Sequence, residues 1–247
     1  MSATSILELE GVVAGYGKMT ILHGTSCAIR RAVITTVIGP NGAGKSTLFK
    51  AIFGLLSVRS GRVVFDGHDI TNFAPRRLLD LGICFVPQGR NIFPELTVRH
   101  NLELGGIALT DQADLTRRVE AAMQRFPMLG EKADRQASTL SGGQQKLLEV
   151  ARGLLLDPKL ILIDEPSIGL SPLMVRQVFD ILTDLRDKGV SVLMVEQNAK
   201  SALEMSDYGL VLELGQTRIQ DKAKTILDDP RIGQLFLGGA LTEKAVA

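Results

Sequence analysis

The sequence predicts an α/β fold in which a parallel β-sheet carries helices on its faces. Short apolar runs rich in β-branched residues, at 33–38 and 160–163, have the composition of buried parallel strands. Apolar residues at helical spacing follow these runs at 46–54 and 173–188. Strands that alternate with helices in this way form a parallel sheet, because each helix returns the chain to the same edge.

The rest of the chain adds a β-rich beginning and a helical middle. The early β-like runs cover residues 6–9, 28–38 and 62–65. From about residue 89 to residue 158 the pattern is mainly helical. The helices predicted there cover about residues 97–109, 114–126 and 142–156. Strand and helix then alternate again, with predicted strands at 190–195 and 209–214 and a predicted helix at 199–205.

Composition limits the classes of function. The 247 residues are 45% hydrophobic, enough for one large domain, and we take residues 1–247 as that domain. Formal net charge is only +1 without a basic stripe, so we expect no nucleic-acid partner. Cys27 and Cys84 stand in apolar surroundings and are expected to be buried and reduced. We find no signal peptide and no apolar run near the ~18 residues that cross a bilayer, so other chains would form any membrane path.

A glycine-rich segment fits the phosphate-binding pattern G-x-x-x-x-G-K-[S/T]. It comprises Gly39, Pro40, Asn41, Gly42, Ala43, Gly44, Lys45, Ser46 and Thr47. Its glycines let backbone N–H groups approach phosphates, and the helix that follows adds positive charge at its N-terminus. We expect Lys45 to reach the β- and γ-phosphates of ATP and Ser46 to bind Mg²⁺. The alternative is a plain glycine-rich turn, which the strand before it and the helix after it disfavour.

Two carboxylates, Asp164 and Glu165, follow the apolar run at 160–163. Ligands of open α/β sheets bind at the carboxyl ends of the strands, where these side chains emerge. Asp164 is expected to hold Mg²⁺ directly or through water, and Glu165 to act as general base toward the attacking water. The alternative is an ordinary acidic turn after a strand.

A second possible anion site opens the predicted helix at 142–156. Its residues are Ser141, Gly142, Gly143 and Gln144. The glycines leave backbone N–H groups open, the Ser141 hydroxyl can donate, and the helix dipole points at whatever lies in front. Taken alone, the segment favours a capped helix start that binds nothing.

In chain order, the glycine-rich segment, Gln88, Leu-Ser-Gly-Gly-Gln at 140–144 and Ile-Leu-Ile-Asp-Glu-Pro at 161–166 resemble the ABC ATPase family. The resemblance extends from about residue 7 to residue 239. It implies a RecA-like P-loop ATPase core with an antiparallel β subdomain near the N-terminus and a helical subdomain at about 89–156. It also implies head-to-tail pairing, in which each nucleotide lies between one chain's phosphate loop and the partner's Ser-Gly-Gly-Gln segment.

The resemblance assigns roles to three further residues. Tyr16 matches the aromatic that stacks on adenine; the alternative is a core tyrosine. Gln88 matches the glutamine that contacts Mg²⁺ and the attacking water and begins the loop to the helical subdomain; the alternative is a solvated loop glutamine. Gln197 occupies the position of a switch histidine and is expected to keep its hydrogen-bonding role; the alternative is a spectator, with Glu165 sufficient by itself.

Two other departures from the broad family pattern stand beside Gln197. Ser171 replaces the aspartate common after the catalytic strand. Ala32 and Val33 replace the Gly-Glu turn usual before the phosphate-loop strand. The second departure leaves the geometry of that turn open.

The segments at 165–172, 195–199 and 236–239 look like the ATPases of importers for branched-chain and other hydrophobic amino acids. Those at 86–90 and 93–98 also fit urea importers. The resemblance implies a second ATPase subunit, either another copy or a related chain, together with membrane permease subunits and, indirectly, a solute-binding protein. It places the chain peripherally at the cytoplasmic face of the inner membrane.

Two other functions compete with transport. A soluble ABC ATPase acting on ribosomes, DNA or cluster assembly would carry fused domains, long insertions or basic segments, which this sequence lacks. A module that binds ATP without hydrolysing it would lack one of the reacting groups. The presence of Lys45, Asp164 and Glu165 argues against that second rival.

Overall fold

The structure is a computed structural model that describes residues 5–232, and its strands form two sheets. The strands are β1 (Ser5–Ala14), β2 (Leu22–Arg30), β3 (Ile34–Ile38), β4 (Val58–Phe65), β5 (His68–Asp69), β6 (Ile83–Val86), β7 (Leu160–Asp164), β8 (Ser191–Val195), β9 (Tyr208–Glu213) and β10 (Gln216–Lys222). The larger sheet has the order β10-β9-β3-β8-β7-β6, and β10 alone in it pairs antiparallel. The smaller sheet is antiparallel, with the order β2-β1-β4-β5.

Helices cover the sheets and fill the middle of the chain. They are α1 (Lys45–Ile52), α2 (Pro75–Leu81), α3 (Val98–Gly105), α4 (Gln112–Arg125), α5 (Pro127–Gly130), α6 (Gly142–Gly153), α7 (Pro172–Asp187), α8 (Ala199–Met205) and α9 (Ala223–Leu227). Short 3₁₀ turns cover Ala137–Thr139 and Leu154–Leu156. Within residues 5–232, none of these helices combines the length and apolar character that a bilayer crossing requires.

Helix α1 packs between the two sheets. Leu48 and Phe49 of α1 are fully buried in one apolar core with residues of β1, β2 and the central strands. A separate core joins α3, α4 and α6 and includes the buried side chains of Val98, Val119 and Leu148. The predicted α/β fold with an antiparallel β part and a helical part is therefore confirmed.

Most predicted elements are present within one to three residues of their predicted bounds, but the run predicted at 28–38 is wrong. It is two strands in different sheets, separated by a turn at which Ala32 adopts a left-handed conformation with φ 52°. The backbone N–H of Ala32 is held by the Ser191 hydroxyl at 2.9 Å. The change of direction lets β2 join the small sheet while β3 enters the large one.

The helix predicted to reach residue 109 ends at Gly105, because Gly105 and Gly106 follow one another and lack side chains that would favour a further turn. Thr97 caps it as predicted, accepting a hydrogen bond from the backbone of His100. The helix predicted to reach residue 156 continues beyond Gly153 only as a 3₁₀ turn. The family segment at 236–239 lies outside the described residues.

Both cysteines are buried and unpaired, as predicted. Burial raises the pKa of each thiol to about 12, because the thiolate would lose its hydration. Neither Cys27 nor Cys84 is therefore a reactive nucleophile at neutral pH.

Candidate functional site

The glycine-rich segment forms the loop between β3 and α1. A side chain at Gly39 would place its Cβ 2.0 Å from the carbonyl oxygen of Leu212, so only glycine fits there. Gly44 caps α1 with φ 101°, and no side chain caps that helix. Asn41 and Gly42 are exposed at the loop tip. The first N–H groups of α1 thus stay free of protein caps, as an anion-binding helix start requires.

The remaining loop residues frame this helix start. Pro40 and Ser46 are half-buried, whereas Ala43 and Thr47 are buried. The carbonyl of Pro40 accepts a hydrogen bond from the N–H of Ala43 at 3.1 Å, which closes the loop on itself. The loop is therefore preformed by its own backbone.

Lys45 folds back over this loop. Its ammonium group donates to the carbonyl oxygens of Gly39 at 2.8 Å and Pro40 at 3.0 Å. Burial lowers its pKa, while the charges of Glu165 and Asp164 act in the opposite direction. An ammonium group has three N–H donors, so one remains for an anion in the loop.

Asp164 ends β7 with only 3% of its surface exposed. Its Oδ1 atom is buried and has no hydrogen-bond partner among the described residues. Burial raises the pKa of Asp164, and a hydrogen bond from Ser46 and the charge of Lys45 partly oppose this. A buried carboxylate oxygen without a partner is costly unless a cation or donor completes it.

Glu165 follows with φ 50°, an uncommon conformation for a residue with a side chain. Its N–H donates to the carbonyl of Val195 at 2.9 Å, which fixes the turn. The side-chain amide of Gln88 donates to Glu165 Oε2 at 2.6 Å. β6 and β7 are parallel neighbours with Val86 opposite Ile163, so the residues that follow them meet at one sheet edge.

A third carboxylate in this region, Glu196, is not singled out by the sequence motifs. It is 1% exposed and accepts hydrogen bonds from the Ser167 N–H at 2.8 Å and the Ser167 hydroxyl at 2.7 Å. Burial raises its pKa, Ser167 and the Gln197 N–H lower it, and the charge of Glu165 raises it. The available signal is its position directly after the apolar run at 190–195, which parallels that of Asp164.

Gln197, the next residue, is exposed. Its backbone N–H donates to Glu196 at 3.2 Å, and within residues 5–232 its side chain makes no hydrogen bond. The side-chain amide is therefore free to act as donor or acceptor toward a ligand.

The Ser-Gly-Gly-Gln segment begins α6. Ser141 and Gln144 form a reciprocal capping box, and the side-chain oxygen of Gln144 also accepts from Lys132 at 2.9 Å. Ser141 and Gly142 are exposed, whereas Gly143 packs against Met174. The Ser141 hydroxyl accepts within the box and keeps its proton to donate. In the described part of the chain, no hydrogen bond joins this segment to residues 39–47.

Tyr16 lies in the turn after β1, 46% exposed. The ammonium of Lys50, on α1, lies 5.7 Å from the centre of its ring. An exposed ring does not fit the core-tyrosine alternative. One aromatic face near the helix that follows the phosphate loop is available for stacking.

Comparison with known proteins agrees with this geometry. Residues 22–168 match the family model described as ABC transporter. The chain is 38% identical to the high-affinity branched-chain amino acid transport ATP-binding protein BraG of Pseudomonas aeruginosa, covering 95% of this chain and 100% of BraG. It is also 38% identical to a probable branched-chain amino acid transport ATP-binding protein LivF of Archaeoglobus fulgidus, over 91% of this chain and 95% of that protein.

Another relative and one solved structure extend the comparison. The lipopolysaccharide export system ATP-binding protein LptB of Haemophilus influenzae is 30% identical over 95% of this chain and 98% of LptB. The crystal structure of the ADP conformation of MJ1267, an ATP-binding cassette of an ABC transporter, superposes with a TM-score of 0.85 at 33% identity, covering 96% of this chain and all of MJ1267. The fold, the phosphate loop and these relatives together establish that the chain belongs to the ABC transporter family, as an ATPase subunit.

Proposed function

We propose that the chain binds Mg-ATP in the loop before α1 and hydrolyses it with Glu165 as the general base. The observation that carries this assignment is the edge formed by Asp164, Glu165 and Gln88 opposite Lys45. Burial lowers the pKa of Lys45, and both carboxylates lie close enough for their charges to oppose this shift. Lys45 is suited to hold phosphates. Asp164, Glu165 and Gln88, opposite it, are suited to hold a metal ion and to orient water.

Asp164 and Ser46 fit a magnesium ion. Mg²⁺ prefers oxygen ligands and is usually bound by one or two carboxylates together with substrate phosphates and water. The unpartnered Oδ1 of Asp164 and the adjacent Ser46 hydroxyl provide such oxygens, with Gln88 as a further ligand. Bound there, Mg²⁺ would neutralise charge on the β- and γ-phosphates.

The chain's own groups then divide the work of hydrolysis. Lys45 and the N–H groups of the loop hold the phosphates and stabilise negative charge. Glu165 accepts a proton from the attacking water, and its hydrogen bond with Gln88 fixes the direction of its carboxylate. Gln197 supplies a hydrogen bond near the reacting phosphate, and Tyr16 stacks on the base.

The exposed N-terminus of α6 supports pairing of two ATPase subunits. The free N–H groups of this helix start and the Ser141 hydroxyl are donors suited to an anion. The same chain does not supply that anion. Head-to-tail pairing with a second ATPase subunit would place this segment against the γ-phosphate held by that subunit. Glycine at position 142 suits such close approach, since an added Cβ would meet nothing in its own chain within 4 Å.

A groove beside the Gln88 loop suits a membrane subunit. It has a volume of about 330 Å³ and lies between the sheet edge and helices α3 and α6. Leu104, Ile107 and Phe85 contribute apolar surface to this groove. Arg152 also lines the groove, and its buried Nη1 atom has no hydrogen-bond partner among the described residues. We infer that a permease segment docks here and holds the chain at the cytoplasmic face of the inner membrane through protein contacts alone.

The transported solute is proposed to be a branched-chain or other hydrophobic amino acid. The names of BraG and LivF support this choice. Urea remains the alternative substrate among importers. Because the relative LptB belongs to an export system, the direction of transport must also be measured.

The test is to purify the chain with the membrane subunits that accompany it and to reconstitute the complex in vesicles with its solute-binding protein. ATP-dependent uptake of leucine or isoleucine, absent from a complex carrying Glu165→Gln, is the expected result. Uptake of urea alone would select the alternative. Purification without any membrane subunit would favour a soluble ATPase and contradict the transport role.

A further inference from the structure

Helix α6 contains a buried ion pair that the proposed catalytic groups do not include. Lys146 Nζ lies 2.6 Å from Glu149 Oε2, and the two side chains are 6% and 2% exposed. The pair begins one turn after Ser141 and Gly142, the exposed start of the helix. It therefore lies between the helical core and the segment that faces a partner's nucleotide.

The pair holds the loop that follows Gln88. The backbone N–H of Asn91 donates to Glu149 Oε1 at 2.5 Å, and Lys146 Nζ donates to the carbonyl of Gly89 at 3.3 Å. The side chain of Asn91 also donates to the carbonyl of Gln88 at 3.3 Å. Lys146 and Glu149 therefore both hold the loop that begins at Gln88, and the side chain of Gln88 is in turn hydrogen-bonded to Glu165.

Three segments of the proposed site meet at this pair. A cavity of about 250 Å³ beside it is lined by Gly89 from the Gln88 loop, Gly142 from the start of α6, and Gly169 from the turn after Glu165. Burial raises the pKa of Asp164, and the charge of Lys146 is among those that oppose this rise, so the pair lies within electrostatic reach of the proposed metal site.

Stability alone is a poor reason for such a pair. The free energy lost when two charges are removed from water cancels much of the free energy gained from their attraction. Apolar residues of similar size often stabilise a protein equally well. Charged hydrogen bonds are directional, however, and they fix one segment against another. The geometry is therefore better explained by a need to hold the loop at one position on α6.

We propose that Glu149 and Lys146 form a positioning unit that transmits the nucleotide state of one site to the other. Nucleotide changes the partner of the Gln88 side chain, the loop at 89–91 moves with it, and the pair passes that movement to the first turn of α6. The segment at 141–143, which faces the second nucleotide, then shifts. This proposal rests on the proposed function, since it requires ATP at the loop before α1.

Hydrogen exchange of the full-length chain, with and without Mg and a non-hydrolysable ATP analogue, tests the coupling. The variant is Lys146→Met with Glu149→Leu, which removes both charges and leaves none unpaired. The matched control is Arg99→Gln with Glu120→Gln, because that 2.6 Å pair joins α3 to α4 without touching the Gln88 loop. Glu149→Gln is a milder second variant that keeps an acceptor for Asn91.

In the native and control chains, we expect the analogue to protect residues 39–47 and to change exchange at 89–91 and 141–145. In the paired variant, protection at 39–47 should persist while the change at 141–145 is lost. Glu149→Gln should lose part of it. Gln88→Ala should abolish the change in exchange at 141–145. Combining Gln88→Ala with the paired variant should have no further effect on that exchange.

Two results would overturn the coupling: protection at 39–47 without any change at 141–145 in the native chain, or an undiminished change in the paired and Glu149→Gln variants. A chain that shows no protection at 39–47 would instead contradict the proposed function.

Discussion

The side-chain amide of Gln88 and the carboxylate of Glu165 share a 2.6 Å hydrogen bond although the two residues are 77 positions apart. They meet because β6 and β7 are parallel neighbours and both residues follow the ends of their strands. Glu165 is also held at φ 50°, a conformation that side-chain-bearing residues adopt mainly where the surroundings impose it. The carboxylate proposed as general base is thus oriented by its own turn and by a second segment.

Gln197 should contribute to hydrolysis but not to ATP binding. Losing a donor aimed at developing charge typically slows a reaction on the order of 10²-fold, so Gln197→Ala should reduce turnover by about that factor. Gln197→His should retain activity and add a pH-dependent limb between about pH 6 and 7, because histidine titrates there and glutamine does not. Turnover against pH, measured in complex with the partner subunits, checks both. Hydrolysis by Gln197→Ala at the native rate would establish the spectator alternative.

Asp164→Asn should stabilise the nucleotide-free chain while abolishing hydrolysis. Burial raises the pKa of Asp164 above its ordinary value of 3.8. A carboxyl group shifted upward contributes stability below its unfolded pKa and loses that contribution as pH rises through its folded pKa. At pH 7 the variant should therefore be more stable by about 1 kcal/mol, in the range typical of relieving a strained functional site.

Urea unfolding of the native and Asp164→Asn chains at several pH values measures this difference. The gain should shrink as the pH falls toward 3.8, where the native carboxyl group is increasingly protonated. A variant that is less stable than the native chain at pH 7 would contradict the cost assigned to the buried charge.

Ala32→Gly should also raise stability. Ala32 is exposed at φ 52°, and a left-handed conformation costs a residue with a side chain about 1–2 kcal/mol. Glycine removes that cost but loses about 0.4–1 kcal/mol through the greater freedom of the unfolded chain, so the net gain should be of the order of 1 kcal/mol or less. Thermal unfolding measures it. Ala28→Gly, at an exposed position within β2, is the matched control and should destabilise the chain; equal loss in both variants would contradict the account of this turn.

The sequence predicts the parts of this site that lie close together along the chain. The loop before α1 and the carboxylates at the end of β7 each follow from spacing and from the strand that precedes them. The fold class follows from the alternation of strands and helices. The α8 helix is predicted at its observed bounds, because its capping residue Asn198 and its apolar pattern are both local.

Features that depend on distant residues are missed. Glu196 looks like any polar residue after a strand until Ser167, 29 positions away, surrounds its carboxylate with donors. In the sequence, Lys146 and Glu149 look like an ordinary solvent-exposed pair at i,i+3 spacing. In the structure, the loop at 89–91 covers them. β10 was not predicted because its alternation is mostly polar and it is held by pairing with β9.

The most direct test of the account is the rate of ATP hydrolysis by Glu165→Gln in complex with the partner subunits. The variant should bind ATP with near-native affinity, because the loop before α1 and Lys45 are unchanged, and it should accumulate nucleotide-bound dimers. Loss of a general base typically costs 10²–10⁴-fold, so turnover should fall by about 10³-fold. Glu204→Gln, at an exposed position on α8, is the matched control and should hydrolyse at the native rate. Steady-state hydrolysis by Glu165→Gln close to that of the native complex would contradict the central assignment.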